Sequence, residues 1–129
     1  MRIGELAEAT DTPATTLRYY EGAGLLLPSG RTPSGYRVYD QSAARRLGFI
    51  SRAQHAGLTL TEIRGVLDLR DGGEPPCQHV RDLLDARLTA LDRQLVELQA
   101  LRGAVAELRA QAADLDPTHC PPEQVCMYL

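Results

Sequence analysis

Three cysteines carry the most specific chemistry in this chain: Cys77, Cys120 and Cys126. Thiolates select soft or borderline ions, namely Cu(I), Zn(II), Cd(II), Hg(II) or Pb(II). Cys77 follows Pro75-Pro76 where a long helix-forming segment begins, and helix N-termini favour negative groups, thiolates included. Cys120 and Cys126 stand in a terminal segment, Asp116 to Leu129, whose prolines restrict the conformations lost on binding. His79 and His119 are the candidate additional ligands. Zn(II) takes four donors, so three sulfurs plus an imidazole or water suit it, whereas Hg(II) and Pb(II) accept three sulfurs alone. The plain alternative for any single cysteine is a small buried apolar residue. His55, beside Gly57, reads as a helix-end cation or a phosphate contact instead.

A second set combines hydroxyls and guanidinium groups: Thr15, Thr16, Arg18, Tyr19 and Tyr20, followed by Arg31, Ser34, Tyr36 and Arg37, with Gly35 as a backbone contact in the turn between them. Such side chains hold phosphate oxygens, and Arg also reads guanine edges in the major groove. The competing reading makes Tyr19 and Tyr36 core aromatics and the arginines mere surface charge. The net charge of -3 argues against a nucleic-acid partner until it is divided. All fourteen positive residues are Arg; nine of them face seven acids in residues 1–70, and five face ten acids in 71–129. Within 13–52 six Arg stand against two acids, so the first part of the chain is the one suited to DNA.

The elements that must position these groups are mostly helical. Ile3, Leu6 and Ala7 share one face of a first helix ending at Ala9-Thr10-Asp11. Thr12 as N-cap and Pro13 as first helical residue open a second, to about Glu21. Two short helices across a tight turn outline a helix-turn-helix. Residues 31–39, with Ser34-Gly35 as the turn, read as a small hairpin or wing. Asp40 caps a third helix to about His55, and Thr59 with Glu62 forms a capping box for a fourth, to about Arg70.

Asp71 to Pro76 reads as a hinge. Beyond it Val80, Leu84, Leu88, Leu91, Leu95, Leu98, Leu101, Val105, Leu108, Ala112 and Leu115 recur every three or four residues, the seam of a coiled coil with a local stammer at Leu95-Leu98-Leu101. A helix over 77–115, roughly 55 Å long, cannot fold back on so small a domain. Its seam calls for a second copy. The expected organisation is thus a DNA-binding domain (1–70), a hinge (71–76), a dimerisation helix (77–115) and a metal-binding loop and tail (116–129). No run approaches the length of a membrane span, and the charged N-terminal segment is unlike a signal peptide, so a cytoplasmic protein with reduced thiols and no membrane partner is expected.

Four blocks in order, Arg2-Ile3-Gly4-Glu5-Leu6-Ala7, Thr16 to Leu25, Arg31 to Tyr39 and Gly57 to Ile63, resemble the MerR family of transcription regulators. The resemblance implies a winged helix-turn-helix domain, a homodimer built on an antiparallel coiled coil, and control of RNA polymerase by distorting an overlong promoter spacer. In the family's metal-sensing branch two Cys lie on a loop after the dimerisation helix, matching Cys120 and Cys126. Divalent-ion sensors add a Cys at the helix start from the other protomer, matching Cys77, where copper(I) sensors carry a non-thiol residue. The reading is a homodimeric activator of metal efflux or detoxification genes, with Zn, Cd, Pb or Hg as effector. A Cys120–Cys126 disulfide switch and a copper(I) sensor are the alternatives. An iron–sulfur member would need four Cys, a multidrug sensor a further ligand-binding domain, and no spacing suggests an enzyme.

Overall fold

The computed structural model describes residues 1–129. Helix α1 (Ile3–Thr10) starts where the Glu5 carboxylate accepts the Arg2 N–H at 3.1 Å. It ends at Asp11, whose φ of 50° turns the chain left-handed. Helix α2 (Ala14–Gly22) begins one residue later than its sequence suggests. Pro13 is itself the cap, in extended geometry, because the Thr12 hydroxyl is used in the turn, donating to the Thr10 carbonyl at 3.1 Å.

The wing consists of β1 (Gly30–Arg31) and β2 (Arg37–Val38), antiparallel with Gly30 opposite Val38 and Arg31 opposite Arg37. Its turn closes through the Thr32 N–H on the Tyr36 carbonyl at 2.7 Å, and Gly35 takes φ +89°, which a side chain would resist. The Asp40 carboxylate accepts the Ser42 N–H at the start of α3 (Gln41–His55). The Thr59 hydroxyl and Glu62 carboxylate exchange the two capping-box hydrogen bonds at the start of α4 (Leu60–Asp71).

The core of this region joins α1 to α4. Leu6, Leu17, Leu25, Leu26, Ile50 and Ile63 are essentially inaccessible to solvent and Tyr39 is buried among them. Arg46 links three segments around that core. Its Nε donates to the Leu25 carbonyl at 2.5 Å, and its two terminal nitrogens donate to the Asp71 carboxylate at 2.7 and 3.0 Å.

Helix α5 (Cys77–Ala112) stops three residues short of the expected Leu115. Asp116 precedes Pro117, which disfavours helical geometry at the residue before it, and the chain unwinds ahead of that point. By their contacts the residues form two compact units, Met1–Arg87 and Leu88–Leu129. The first three turns of α5 therefore belong to the first unit. Leu83 packs on its core, and the Arg87 guanidinium lies against Gly57, leaving no room for a Cβ there. No residue of α5 is buried, and no helix is long and apolar enough to cross a membrane.

Hydrogen bonds from Arg46 hold the Asp71 carboxyl below the usual carboxylate range. A depressed folded-state value means that this clasp stabilises fully above that range and is lost as pH falls through the lowered value. Arg46→Ala should cost about 2 kcal/mol in urea unfolding at neutral pH. The difference from the parent should narrow in acid; equal midpoints at neutral pH would remove the clasp from the account.

Candidate nucleic-acid interface and metal-binding thiols

Helical spacing turns Leu17 and Tyr20 of α2 inward and leaves Thr15, Arg18 and Tyr19 on the outer face, with Thr16 half-buried. Tyr19 is 62% exposed and Tyr36, at the wing tip, 58%, so neither is a core aromatic. Tyr20 requires a correction. It is a core residue, and its hydroxyl donates to Gln54 Oε1 of α3 at 3.1 Å, which withdraws it from the surface that Tyr19 presents.

Arg18 shares one open cleft with Arg2, Arg31 and Arg37. Internal contacts hold three of these guanidinium groups. Arg2 lies 4.4 Å above the Tyr36 ring, a cation–π contact. Arg31 Nη1 donates to the Gly35 carbonyl at 3.0 Å across the wing turn. Arg37 Nε stands 2.7 Å from Glu21 Oε1, and the Tyr39 hydroxyl donates to the same carboxylate's Oε2 at 2.5 Å. Burial, then the bond to Glu21, pushes the Tyr39 phenol up to about 12. Ser34 is exposed in the wing turn, its hydroxyl 3.1 Å from that of Thr32. His55, the last residue of α3, places Nδ1 2.8 Å from the Ser51 carbonyl.

Sequence reasoning overlooked Arg2 and Glu21. Arg2 precedes α1 and belongs to no periodic pattern. Glu21 could have been suspected from Arg37 and Tyr39, two apart in an extended segment and so on one face.

In the first unit Cys77 is the first residue of α5, exposed, and borders a shallow groove with Phe49, Val66, Leu67 and Pro76. His79 is exposed one turn into the helix at most. In the second unit Cys120 and Cys126 are free and exposed. Asp116 orders the start of that segment, accepting from the Thr118 N–H and hydroxyl at 2.9 and 2.7 Å, bonds that lower its carboxyl below the usual range. His119 Nδ1 lies 3.2 Å from the other Asp116 oxygen. The Tyr128 hydroxyl closes the segment on the Leu115 carbonyl at 3.1 Å. The donor set, three accessible thiols and two imidazoles, fits a soft ion. No three His, Cys, Asp or Glu side chains of one chain come together to hold one.

Two family models match this sequence. The MerR HTH family regulatory protein model covers residues 1–69, and the MerR DNA-binding model covers 44–108. The chain belongs to the MerR family. This regulator is 35% identical over 121 residues to the mercuric resistance operon regulatory protein of Bacillus cereus, covering 93% of this chain and 92% of that protein. It is 34% identical over 108 residues to the transcriptional regulator ZntR of Escherichia coli K12, 83% and 77% of the two chains. The crystal structure of the transcription regulator PbrR691 from Ralstonia metallidurans CH34, in complex with lead(II), superposes with a TM-score of 0.80 at 38% identity, over 93% of this chain and 94% of that one. Family membership makes the protein a DNA-binding transcription regulator rather than an enzyme, a helix-turn-helix domain followed by a long C-terminal helix.

With Arg18 as a backbone contact, Arg18→Ala should weaken DNA binding about tenfold and reduce the slope of log Kd against log salt by about 1. Tyr20→Phe should leave affinity unchanged at matched salt while lowering stability by about 1 kcal/mol. The reverse pattern would return Tyr20 to the interface.

Proposed function

We propose that this regulator binds promoter DNA as a homodimer and activates metal efflux or detoxification genes when Cys77, Cys120 and Cys126 take up a soft divalent ion, Zn(II), Cd(II), Pb(II) or Hg(II). The observation that carries the reading is three free, accessible thiols at a helix start and in a Pro-rich terminal segment of a MerR-family chain. The lead(II) complex of PbrR691 and the mercuric-resistance name of the Bacillus relative support a soft ion. A third thiolate favours trigonal or tetrahedral ions over linear two-coordinate Cu(I), which supports a divalent effector.

His119 or His79 supplies a fourth donor for Zn(II), His119 by leaving Asp116. A second protomer supplies the third thiolate, with Cys77 of one copy meeting the loop thiols of the other, the arrangement that the resemblance to divalent-ion sensors implies. Dimerisation is supported by the seam of α5, on which Leu88, Leu95, Leu98 and Leu101 are each more than half exposed in the single chain. Covering apolar surface stabilises by about 25 cal/mol per Å².

On DNA, Thr15, Thr16, Arg18 and Tyr19 of α2 and Arg31, Ser34, Gly35, Tyr36 and Arg37 of the wing position the dimer. The bound ion, by tying the two protomers together, favours the arrangement that untwists the spacer and lets RNA polymerase engage. Metal and distorted DNA then favour one another by the same free energy, as linkage requires.

Cys120→Ser should abolish metal-dependent transcription in vitro while leaving promoter affinity within about twofold, since that thiol lies outside the DNA-binding domain. Lost DNA binding in this variant would contradict the separation of roles. Anaerobic titration with Cu(I), Zn(II), Cd(II), Pb(II) and Hg(II), following thiolate-to-metal absorption, should give tightest binding to a divalent ion with Cys77 engaged. Tightest binding of Cu(I) without Cys77 would make the protein a copper(I) sensor. No binding by the reduced protein, together with Cys120–Cys126 disulfide formation, would make it a redox switch.

A further inference from the structure

The Glu21 carboxylate stands behind Arg37, one of four arginines that line a cleft together with Glu5 and Glu8, and it is held on both oxygens. One takes Arg37 Nε at 2.7 Å and the other takes the Tyr39 hydroxyl at 2.5 Å. Its side chain is only 16% exposed, whereas that of Arg37 is 47% exposed. The carboxylate is thus mostly withdrawn from solvent and the guanidinium is not. Tyr39 is itself fixed, buried by the core and tied through its backbone N–H to the Met1 carbonyl at 2.6 Å. Glu21 is therefore braced from behind by a rigid phenol and grips Arg37 from in front.

The grip uses Nε and leaves the two terminal nitrogens of Arg37 free of any other ion pair. A guanidinium has five donors in a fixed fork, so fastening one edge orients the other. Glu21 stands on α2 and Arg37 on β2, so the same contact sets the wing against the helix that carries Arg18.

We infer that Glu21 is a positioning residue for DNA recognition, which holds Arg37 with its terminal nitrogens presented to a backbone phosphate. The inference rests on the wing's role in the proposed function. The alternative, that an acid near phosphates merely repels them, makes the opposite forecast for removing its charge, because uncompensated negative charge in the interface weakens binding.

The test is a double-mutant cycle on the full-length dimer, with a duplex that the parent protein selects from a randomised pool. Glu21→Gln keeps the shape and an acceptor for Tyr39 but releases Arg37. It should weaken binding roughly five- to tenfold and lower the salt slope by about 1, as Arg37→Ala also should. The double variant should be no weaker than either single one, because the two residues act as one unit. Tighter or unchanged binding by Glu21→Gln, or penalties that multiply, would overturn the inference while leaving the DNA-binding reading intact. Full affinity in Arg37→Ala would remove the wing contact itself. Should Glu21→Gln fail to fold by circular dichroism, Tyr39→Phe loosens the brace instead. It should weaken binding and reduce the penalty of Arg37→Ala; an undiminished penalty would overturn the inference.

Discussion

A helix of 36 residues with none of them buried is the constraint on which everything else depends. Leu88, Leu95, Leu98, Leu101 and Val105 follow a helical seam, and each is more than half exposed in the single chain. Water does not stabilise such a surface, and helices in proteins gain most of their stability from packing an apolar face. In the proposed function a second copy is that cover, matching the seam's own periodicity. Dimerisation would then supply what one chain lacks, a second DNA-reading domain and the thiols of another protomer.

Within the first unit the problem is electrostatic. Arginines gathered for a polyanion repel one another before it arrives, and free long side chains lose entropy when they bind. Each of three guanidinium groups in the cleft is steadied by a contact of a different kind. Arg2 stacks on Tyr36, Arg31 bonds a turn carbonyl, and Arg37 pairs with Glu21. The net charge of -3 obscures this, because the acids are concentrated in the later residues.

The first 70 residues were legible wherever a local rule had one solution. The Thr59–Glu62 box, the Asp40 cap and the Ser34-Gly35 turn stand where their chemistry puts them. Pro13 was misread because a Thr-Pro pair offers two capping registers, and the Thr12 hydroxyl chose the turn. Tyr20 was misread although its spacing from Leu17 already put both on the inner face of α2; the hydroxyl drew attention from the periodicity. The end of α5 lay beyond the seam pattern, which continues to Leu115 while Pro117 already disfavours helix. Arg37 and Tyr39, two apart on one face, hinted at a shared partner, but that partner lies 16 and 18 residues away, across a wing whose register only the fold determines. The cysteines were legible as donors but not as a site, since Cys77 stands in one unit and Cys120 and Cys126 in the other.

The central claim is that a soft ion is shared between protomers, and a mixed dimer tests it most directly. One differently tagged protomer carries Cys77→Ser, the other Cys120→Ser with Cys126→Ser, and the purified heterodimer is titrated anaerobically with Cd(II). Ligation across the dimer predicts one complete three-sulfur site per heterodimer, seen by X-ray absorption as three sulfurs per ion, and none in either mutant homodimer. A heterodimer without any three-sulfur site, alongside a parent dimer that has two, would contradict the account and place all three thiolates on one chain.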